Sequence, residues 1–222
     1  MDKKITALVP CKAGSERVKN KNTKPFVDTS LIEIKLKQLL DVEEIDNIIV
    51  STDDPEVERL SNGFGNKKIK VIGQEVQPTN NEMISWFSRI LSCEGILLWT
   101  HVTSPFCDAS VYRKAIQKYK EMESRYDSLL SVQEVRGYIW DKSGRPLNYP
   151  ISNGRWPRTQ DVEPCYLLNS AIFILPMDLM KEAGDRVGKN PYYFPLKGIE
   201  GLDIDWVDDF DLGESLWKGL NK

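Results

Sequence analysis

Two sets of residues in this chain are equipped for chemistry. One is Asp203 and Asp205, in the segment GLDIDW; the other is the basic set Lys12, Arg17, Lys19, Lys21 and Lys24 near the opposite end. Residues i and i+2 of an extended segment point to the same side, so Asp203 and Asp205 aim two carboxylates at one point. Like charges held together cost energy unless a cation or several donors sit between them. Mg2+ suits such a pair, since it takes one or two carboxylates and completes its shell with substrate phosphates and water. Asp205 could instead cap the helix that follows; capping accounts for Asp205 but not for the aim of Asp203.

The basic residues share one loop. Residues 5–9 are a short apolar run that reads as a buried strand, and at Pro10 it empties into Cys11-Lys12-Ala13-Gly14-Ser15 and on to Lys21-Asn22. A basic, small-residue loop after a strand is how open α/β sheets build polyphosphate sites. Backbone N–H groups of Ala13, Gly14 and Ser15 can turn toward phosphate oxygens, and Lys12 and Lys21 supply point charge. Solvated surface is the competing reading of the same composition. Neither G-x-G-x-x-G nor G-x-x-x-x-G-K-[ST] occurs, so neither the dinucleotide nor the P-loop mechanism is assigned. His101, the only histidine, follows an apolar run that reads as a central strand. It is expected as a contact residue rather than a general base.

The elements that must position these residues alternate. Strands are expected at 5–9, 47–50, 69–72, 95–100, 128–135 and 169–175. Helices are expected at 31–40, between Pro55 and Gly65, and at 83–91, 109–122, 178–182 and 207–220. Ile32, Ile34 and Leu36 also alternate, which leaves a strand open at 31–40. Asp53 or Asp54 can cap the helix at Pro55, and capping alone accounts for the Ser51-Thr52-Asp53-Asp54 stretch. Strand–helix alternation implies a mostly parallel sheet with helices on both faces. The expected fold is therefore α/β, one domain over 1–222. The Pro- and Gly-containing stretch at about 137–165 reads as an inserted arm or lid, with a hairpin near 138–144.

At 222 residues the chain can bury a sizeable core. A net charge of −3 argues against a nucleic-acid partner. The cysteines, Cys11, Cys93, Cys107 and Cys165, contain no C-x-x-C pair, which disfavours zinc and disulfide scaffolds. No apolar run suggests a signal peptide or a membrane span, so a reducing cytoplasm and no membrane partner are expected.

Taken in order, CKAGSERVKNKN, STDD, HVTSP, RTQDVEPCYLLNSAIF and DID resemble the acylneuraminate cytidylyltransferases, the CMP-sialic acid synthetases and their relatives for legionaminic, pseudaminic and Kdo-type acids. The motifs span nearly the whole chain. The resemblance implies a Rossmann-like nucleotidyltransferase fold, usually a homodimer. It also implies a Mg2+-dependent reaction of CTP with a 2-keto sugar acid, giving a CMP-sugar and pyrophosphate. By it, Pro10, Cys11, Lys12, Ala13, Gly14, Ser15, Lys21 and Asn22 hold the nucleotide, and Asp203 and Asp205 hold the metal. Lys12 and Lys21 act with that acid pair in catalysis. His101, Thr103, Arg158, Gln160 and Asn169 lie near the sugar. Tyr192 and Tyr193 resemble an aromatic element supplied by the partner subunit, and 137–165 becomes the dimer arm. Lys12 stands where the family usually has Arg, Gly73-Gln74 where it has Arg-Pro, and His101 where it has Gln. Two other readings are a same-fold nucleotidyltransferase using another NTP or a sugar phosphate, and a catalytically weak nucleotide binder.

Overall fold

A computed structural model of the chain describes residues 3–73, 80–91, 94–151 and 156–220. Gln74, Cys93 and part of the inserted stretch, including Gly154, lie outside these.

The first strand, β1 (Ile5–Cys11), is buried on both sides, as a central parallel strand must be. It carries on through Pro10 to Cys11, two residues past the expected end of the strand at residue 9. A small hairpin, β2 (Pro25–Phe26) and β3 (Thr29–Ser30), leads into α1 (Leu31–Leu40). The Ser30 hydroxyl caps α1 by accepting from the Glu33 N–H, which settles 31–40 as a helix. There follow β4 (Ile45–Thr52), α2 (Pro55–Gly63), β5 (Ile69–Gly73), α3 (Asn80–Ile90), β6 (Ile96–Trp99), α4 (Ala109–Met122) and β7 (Ser128–Val135). The chain ends with β8 (Cys165–Pro176), α5 (Met177–Ala183), β9 (Pro191–Leu196) and α6 (Val207–Leu220).

Seven strands form one sheet in the order β5-β4-β1-β6-β8-β7-β9. All run parallel except β8, which is antiparallel to both β6 and β7. The 95–100 run is therefore central, as expected. The α/β expectation holds, with β9 as an added edge strand.

Alternation along β1 divides the core. Ala7 and Val9 pack with α1, α4 and Phe210 of α6 on one face, and Leu8 packs with α5 and Phe87 of α3 on the other. Helix α6 lies close to the small hairpin and to the acid-pair segment through Gly213, where a Cβ would sit 3.0 Å from Ile204 Cδ1 and 3.2 Å from Phe26 Cζ. The absent side chain at Gly213 thus lets α6 seat the residue between the two aspartates.

The described part of residues 137–165 packs on itself. Asn148 Nδ2 donates to the carbonyls of Gly137 and Glu163, and Trp140 stacks on Trp156 with ring centres 5.5 Å apart. The expected hairpin is present: the N–H of Leu147 donates to the Ile139 carbonyl and that of Asp141 to Arg145.

Candidate active site

A cavity of about 560 Å3 opens at the carboxyl ends of β1 and β6. Pro10, Cys11, Lys12, Ser15, Lys21 and Asn22 line it from the first loop, and His101 and Thr103 from the loop after β6. Asp203 and Asp205 line it from the segment before α6. Residues nearly two hundred positions apart thus share one space because β1 and β6 are sheet neighbours and α6 returns across them.

The first loop is held by side chains. Asn22 Nδ2 donates to the Lys12 carbonyl at 3.1 Å, and Gly14 takes φ +73°, a conformation that favours glycine. Asp53 Oδ1 accepts the Ala13 N–H at 2.6 Å. The expectation that Ala13 turns this donor toward phosphate is corrected, because a carboxylate from the end of β4 already takes it. Asp54, not Asp53, caps α2, accepting from the Glu56 N–H at 2.9 Å. Asp53 is therefore a loop-positioning residue that capping logic had absorbed. The Lys12 side chain is exposed at the cavity and forms no ion pair among the described residues.

The acid pair is tied to that loop. Lys21, almost fully buried, donates to the Ile204 carbonyl at 2.7 Å and to Asp205 Oδ1 at 3.2 Å. Arg17 donates to the same Asp205 oxygen at 3.3 Å and lies over the Trp206 ring. Asp205 does not cap α6. Asp209 reaches back and accepts the N–H groups of Asp205 and Trp206 at 3.0 and 2.8 Å, leaving the Asp205 carboxylate to the cavity. Ile204 is buried, as the i, i+2 argument requires, whereas Trp206 is 61 % exposed, so the apolar side of that segment ends at Ile204.

Asp203 is the more desolvated acid. Burial raises its pKa, Asp205 adds to the rise, and Thr103 and Lys21 pull the other way. Its Oδ1 is buried without a hydrogen-bond partner among the described residues. An orphaned carboxylate oxygen beside a second carboxylate is a hard-oxygen donor set that fits a divalent cation such as Mg2+, the remaining positions falling to substrate and water. Among the described residues no cluster of three or more His, Cys, Asp or Glu side chains accompanies the pair.

The loop after β6 rests on a buried cation. Lys35 of α1 donates to the Ser104 carbonyl at 2.9 Å and to the Tyr112 hydroxyl at 2.6 Å; Tyr112 pairs with Thr100 at 2.7 Å. Burial lowers the Lys35 pKa to about 8. The adjacent Thr103 carbonyl accepts the Ile204 N–H at 2.8 Å, which ties this loop to the acid pair.

His101 Nε2 accepts from Trp99 Nε1 at 2.9 Å and lies 3.3 Å from Arg186 Nη1. Both neighbours can only donate, so Nε2 carries no proton and Nδ1 does. Burial, then Arg186, pushes the pKa of His101 from 6.5 down to about 3. With its lone pair taken, His101 is no general base. Because it is the only histidine, proton NMR gives a clean check: its ring signals in the folded protein are expected not to titrate between pH 5 and 8. Between about 6.5 and 3 the unfolded chain takes up a proton that the folded chain refuses, so His101 lowers stability as pH falls through that window.

Other expected residues lie apart. Arg158 forms an exposed ion pair with Asp161, Gln160 is exposed beside Thr159, and neither lines the cavity. Asn169 is buried and structural here: its Nδ2 donates to the Gly201 carbonyl and its Oδ1 accepts from the Ala171 N–H, anchoring the approach to Asp203. Tyr192 and Tyr193 lie on β9 at the sheet edge, against Tyr126 and Tyr166 respectively. The chain's own fold thus leaves Arg158, Gln160, Tyr192 and Tyr193 out of the cavity, whereas Asn169 lines a neighbouring one that Asp203 and Asp205 also line.

A family model described as Cytidylyltransferase matches residues 6–139, a stretch that carries the first loop, β6 and the loop after it. The chain belongs to the cytidylyltransferase family. Asp203 and Asp205 lie beyond the matched stretch. Among curated relatives of this chain, the N-acylneuraminate cytidylyltransferase of Escherichia coli is 24% identical over 100% of this chain and 54% of its own length. The post-translational flagellin modification protein B of Campylobacter coli is 22% identical over 98% and 96%. The CMP-N,N'-diacetyllegionaminic acid synthase of Legionella pneumophila is 24% identical over 96% of both. The chain therefore spans about half of some relatives and nearly all of others. Two solved structures share the fold. The CMP:2-keto-3-deoxy-manno-octonic acid synthetase solved with CTP has a TM-score of 0.68 at 14% identity, covering 98% of this chain and 99% of that one. The 4-diphosphocytidyl-2C-methyl-D-erythritol synthase of Anaerococcus prevotii has a TM-score of 0.71 at 13% identity, covering 97% and 99%. Both likenesses are to the fold, in agreement with the α/β architecture expected from the sequence.

Proposed function

We propose that this cytidylyltransferase joins CTP to a 2-keto sugar acid, giving a CMP-sugar and pyrophosphate. One observation carries the reading: the basic loop and the acid pair face one cavity, tied together by Lys21. The relatives' names support the substrate class.

In this reaction the anomeric hydroxyl oxygen of the sugar acid gives its proton to water and bonds to the α-phosphorus of CTP. The bond from that phosphorus to the bridging oxygen breaks, and pyrophosphate leaves. Such transfers are accelerated by positioning and by charge neutralisation. Lys12 faces the polyphosphate from the loop, with the Gly14 and Ser15 backbone beside it. Asp203 and Asp205 would hold Mg2+, which when bound neutralises phosphate charge and acidifies an oxygen ligand. Lys21 and Arg17 hold Asp205 in register with the loop, and Thr103 holds Asp203.

Assembly as a homodimer is part of the proposal. Leu147, Ile151 and Trp156 of the arm, with Leu167 and Leu168 of β8, are each more than half exposed, an apolar face suited to a second copy. The exposed Arg158, Gln160 and Tyr193 would then serve the partner's cavity. Sedimentation is expected to give a two-chain mass and Leu168→Glu a one-chain mass; a monomeric wild type would contradict this part. Cys11, Cys107 and Cys165 are free thiols, which supports a reducing cytoplasm, and no helix among the described residues is long and apolar enough to cross a membrane.

The test of the reaction is pyrophosphate release. It is measured with each of the four NTPs against N-acetylneuraminate, legionaminic, pseudaminic and 2-keto-3-deoxy-manno-octonic acids, with and without Mg2+. Release is expected with CTP, with at least one of the acids, and only with the metal. Release with no acid would overturn the reading.

A further inference from the structure

The cavity has a second cationic end that the reaction as described does not use. It lies on the opposite face of the sheet from the acid pair, where the core is built from α3 and α5. Met83 and Ile84 of α3, Trp99 of β6, and Arg186 from the loop after α5 line this end. The Arg186 guanidinium carbon lies 4.4 Å from the centre of the Phe173 ring and 5.5 Å from that of Trp99, stacked on a wall that excludes water. Among the described residues its guanidinium meets one polar atom, His101 Nε2, a neutral acceptor that it shares with Trp99. No carboxylate among the described residues forms an ion pair with it. The adjacent Asp185 uses Oδ1 to accept the N–H groups of Arg186 and Val187, at 2.6 and 3.3 Å.

We infer that Arg186 selects the acceptor by binding its carboxylate, with His101 and the Trp99 and Phe173 rings fixing the guanidinium. Asp185 also lines the cavity and acts on Arg186 only through space, its Oδ1 being held by backbone N–H groups, so the half-buried guanidinium still has a directly paired anion to gain from the ligand. Its planar fork matches a carboxylate through two parallel N–H···O bonds. The apolar walls strengthen that pairing and make a neutral occupant costly, because it would leave the charge unpaired. Phosphates in the first loop would meet Lys12 and the acid pair, whereas Arg186 enters the cavity from the α3–α5 side, which leaves its end to the acceptor. His101 is neutral and shares its one Nε2 lone pair between Trp99 and Arg186, so it orients the guanidinium without competing for it as an anion would.

The inference rests on the sugar-acid reading, and its test separates the two. Calorimetry measures binding of the four sugar acids named above and of the carboxamide of each, to the wild type, to Arg186→Met, which keeps the stacking bulk, and to Arg186→Gln. At least one acid is expected to bind the wild type about tenfold or more tighter than its carboxamide. Both variants should lose that preference while CTP affinity stays within about twofold. Equal binding of acid and carboxamide by the wild type, no binding of any acid, or a preference that persists in a folded variant would overturn it. The wild-type comparison decides if neither variant folds. A preference that depends on Arg186, seen without pyrophosphate release in the earlier assay, would leave this assignment standing and remove the transfer reaction.

Discussion

Asp203→Asn is expected to abolish metal-dependent turnover, by on the order of 10³-fold or more, while thermal stability stays level or rises. Asn keeps the shape and can still pair with Thr103, so packing is preserved. What is lost is the charge on the buried, unpartnered Oδ1. That charge costs the folded protein something, since burial and the neighbouring Asp205 both raise the Asp203 pKa. Removing it relieves the folded state. The opposite signs of the two effects are diagnostic: a structural carboxylate would lose stability on substitution, and a ligand would lose activity alone. Pyrophosphate release and a thermal melt on one preparation read both. Activity near wild type would show that Asp203 holds no metal. Asp205→Asn should also lose turnover, but with some loss of stability, since Lys21 and Arg17 lose their carboxylate.

The second large effect belongs to Lys21. The sequence placed it among phosphate-facing lysines, and the structure gives it a different task. Its ammonium joins the first loop to the acid pair through the Ile204 carbonyl and Asp205. Lys21→Met keeps the stem and removes the donor. A buried carbonyl is left unsatisfied, at about 1–3 kcal/mol. Asp205 also loses the partner that fixes it in the cavity, which is expected to cost about 10²- to 10³-fold in kcat. Denaturant melts and steady-state kinetics should show both losses together. Lys12→Met is the contrast: Lys12 is exposed and unpaired among the described residues, so its loss should raise the KM for CTP without changing stability. A Lys21→Met protein with wild-type kcat would show that the loop and the acid pair work independently.

The helices were legible wherever an apolar stripe met a cap. Leu31–Leu40, Ala109–Met122 and Val207–Leu220 fall where periodicity places them, with Ser30 and Asp108 as side-chain caps of the first two. The missed strand β9 carries Pro191 and Pro195 in six residues. Proline argues against a central strand and is tolerated at an edge, and an edge position is a fact of topology that local sequence does not carry. The start of β8 was missed for a related reason: Tyr166, Leu167 and Leu168 are exposed there, so the run has no buried face to set a period of two.

The acid pair was legible because i, i+2 spacing fixes direction in extended backbone. Its tethers were not. Asp53 is hidden by Asp54, since either satisfies a cap. Lys35 is hidden inside the apolar face of α1, where a lysine reads as a surface residue until Ser104 and Tyr112 are placed over it. Arg186 sits in a polar loop with no motif, and only the folding of α5 against α3 turns it into the cavity. Long-range partners of single charged side chains need the topology first.

The most direct measurement is phosphorus NMR of the protein with CTP, Mg2+ and the sugar acid that gives release. The proposed transfer requires that the triphosphate signals give way to one phosphodiester and to pyrophosphate in equal amounts, and that Asp203→Asn shows neither. CTP consumed to CDP or CMP with no sugar phosphodiester, or left intact with every acid, would contradict it.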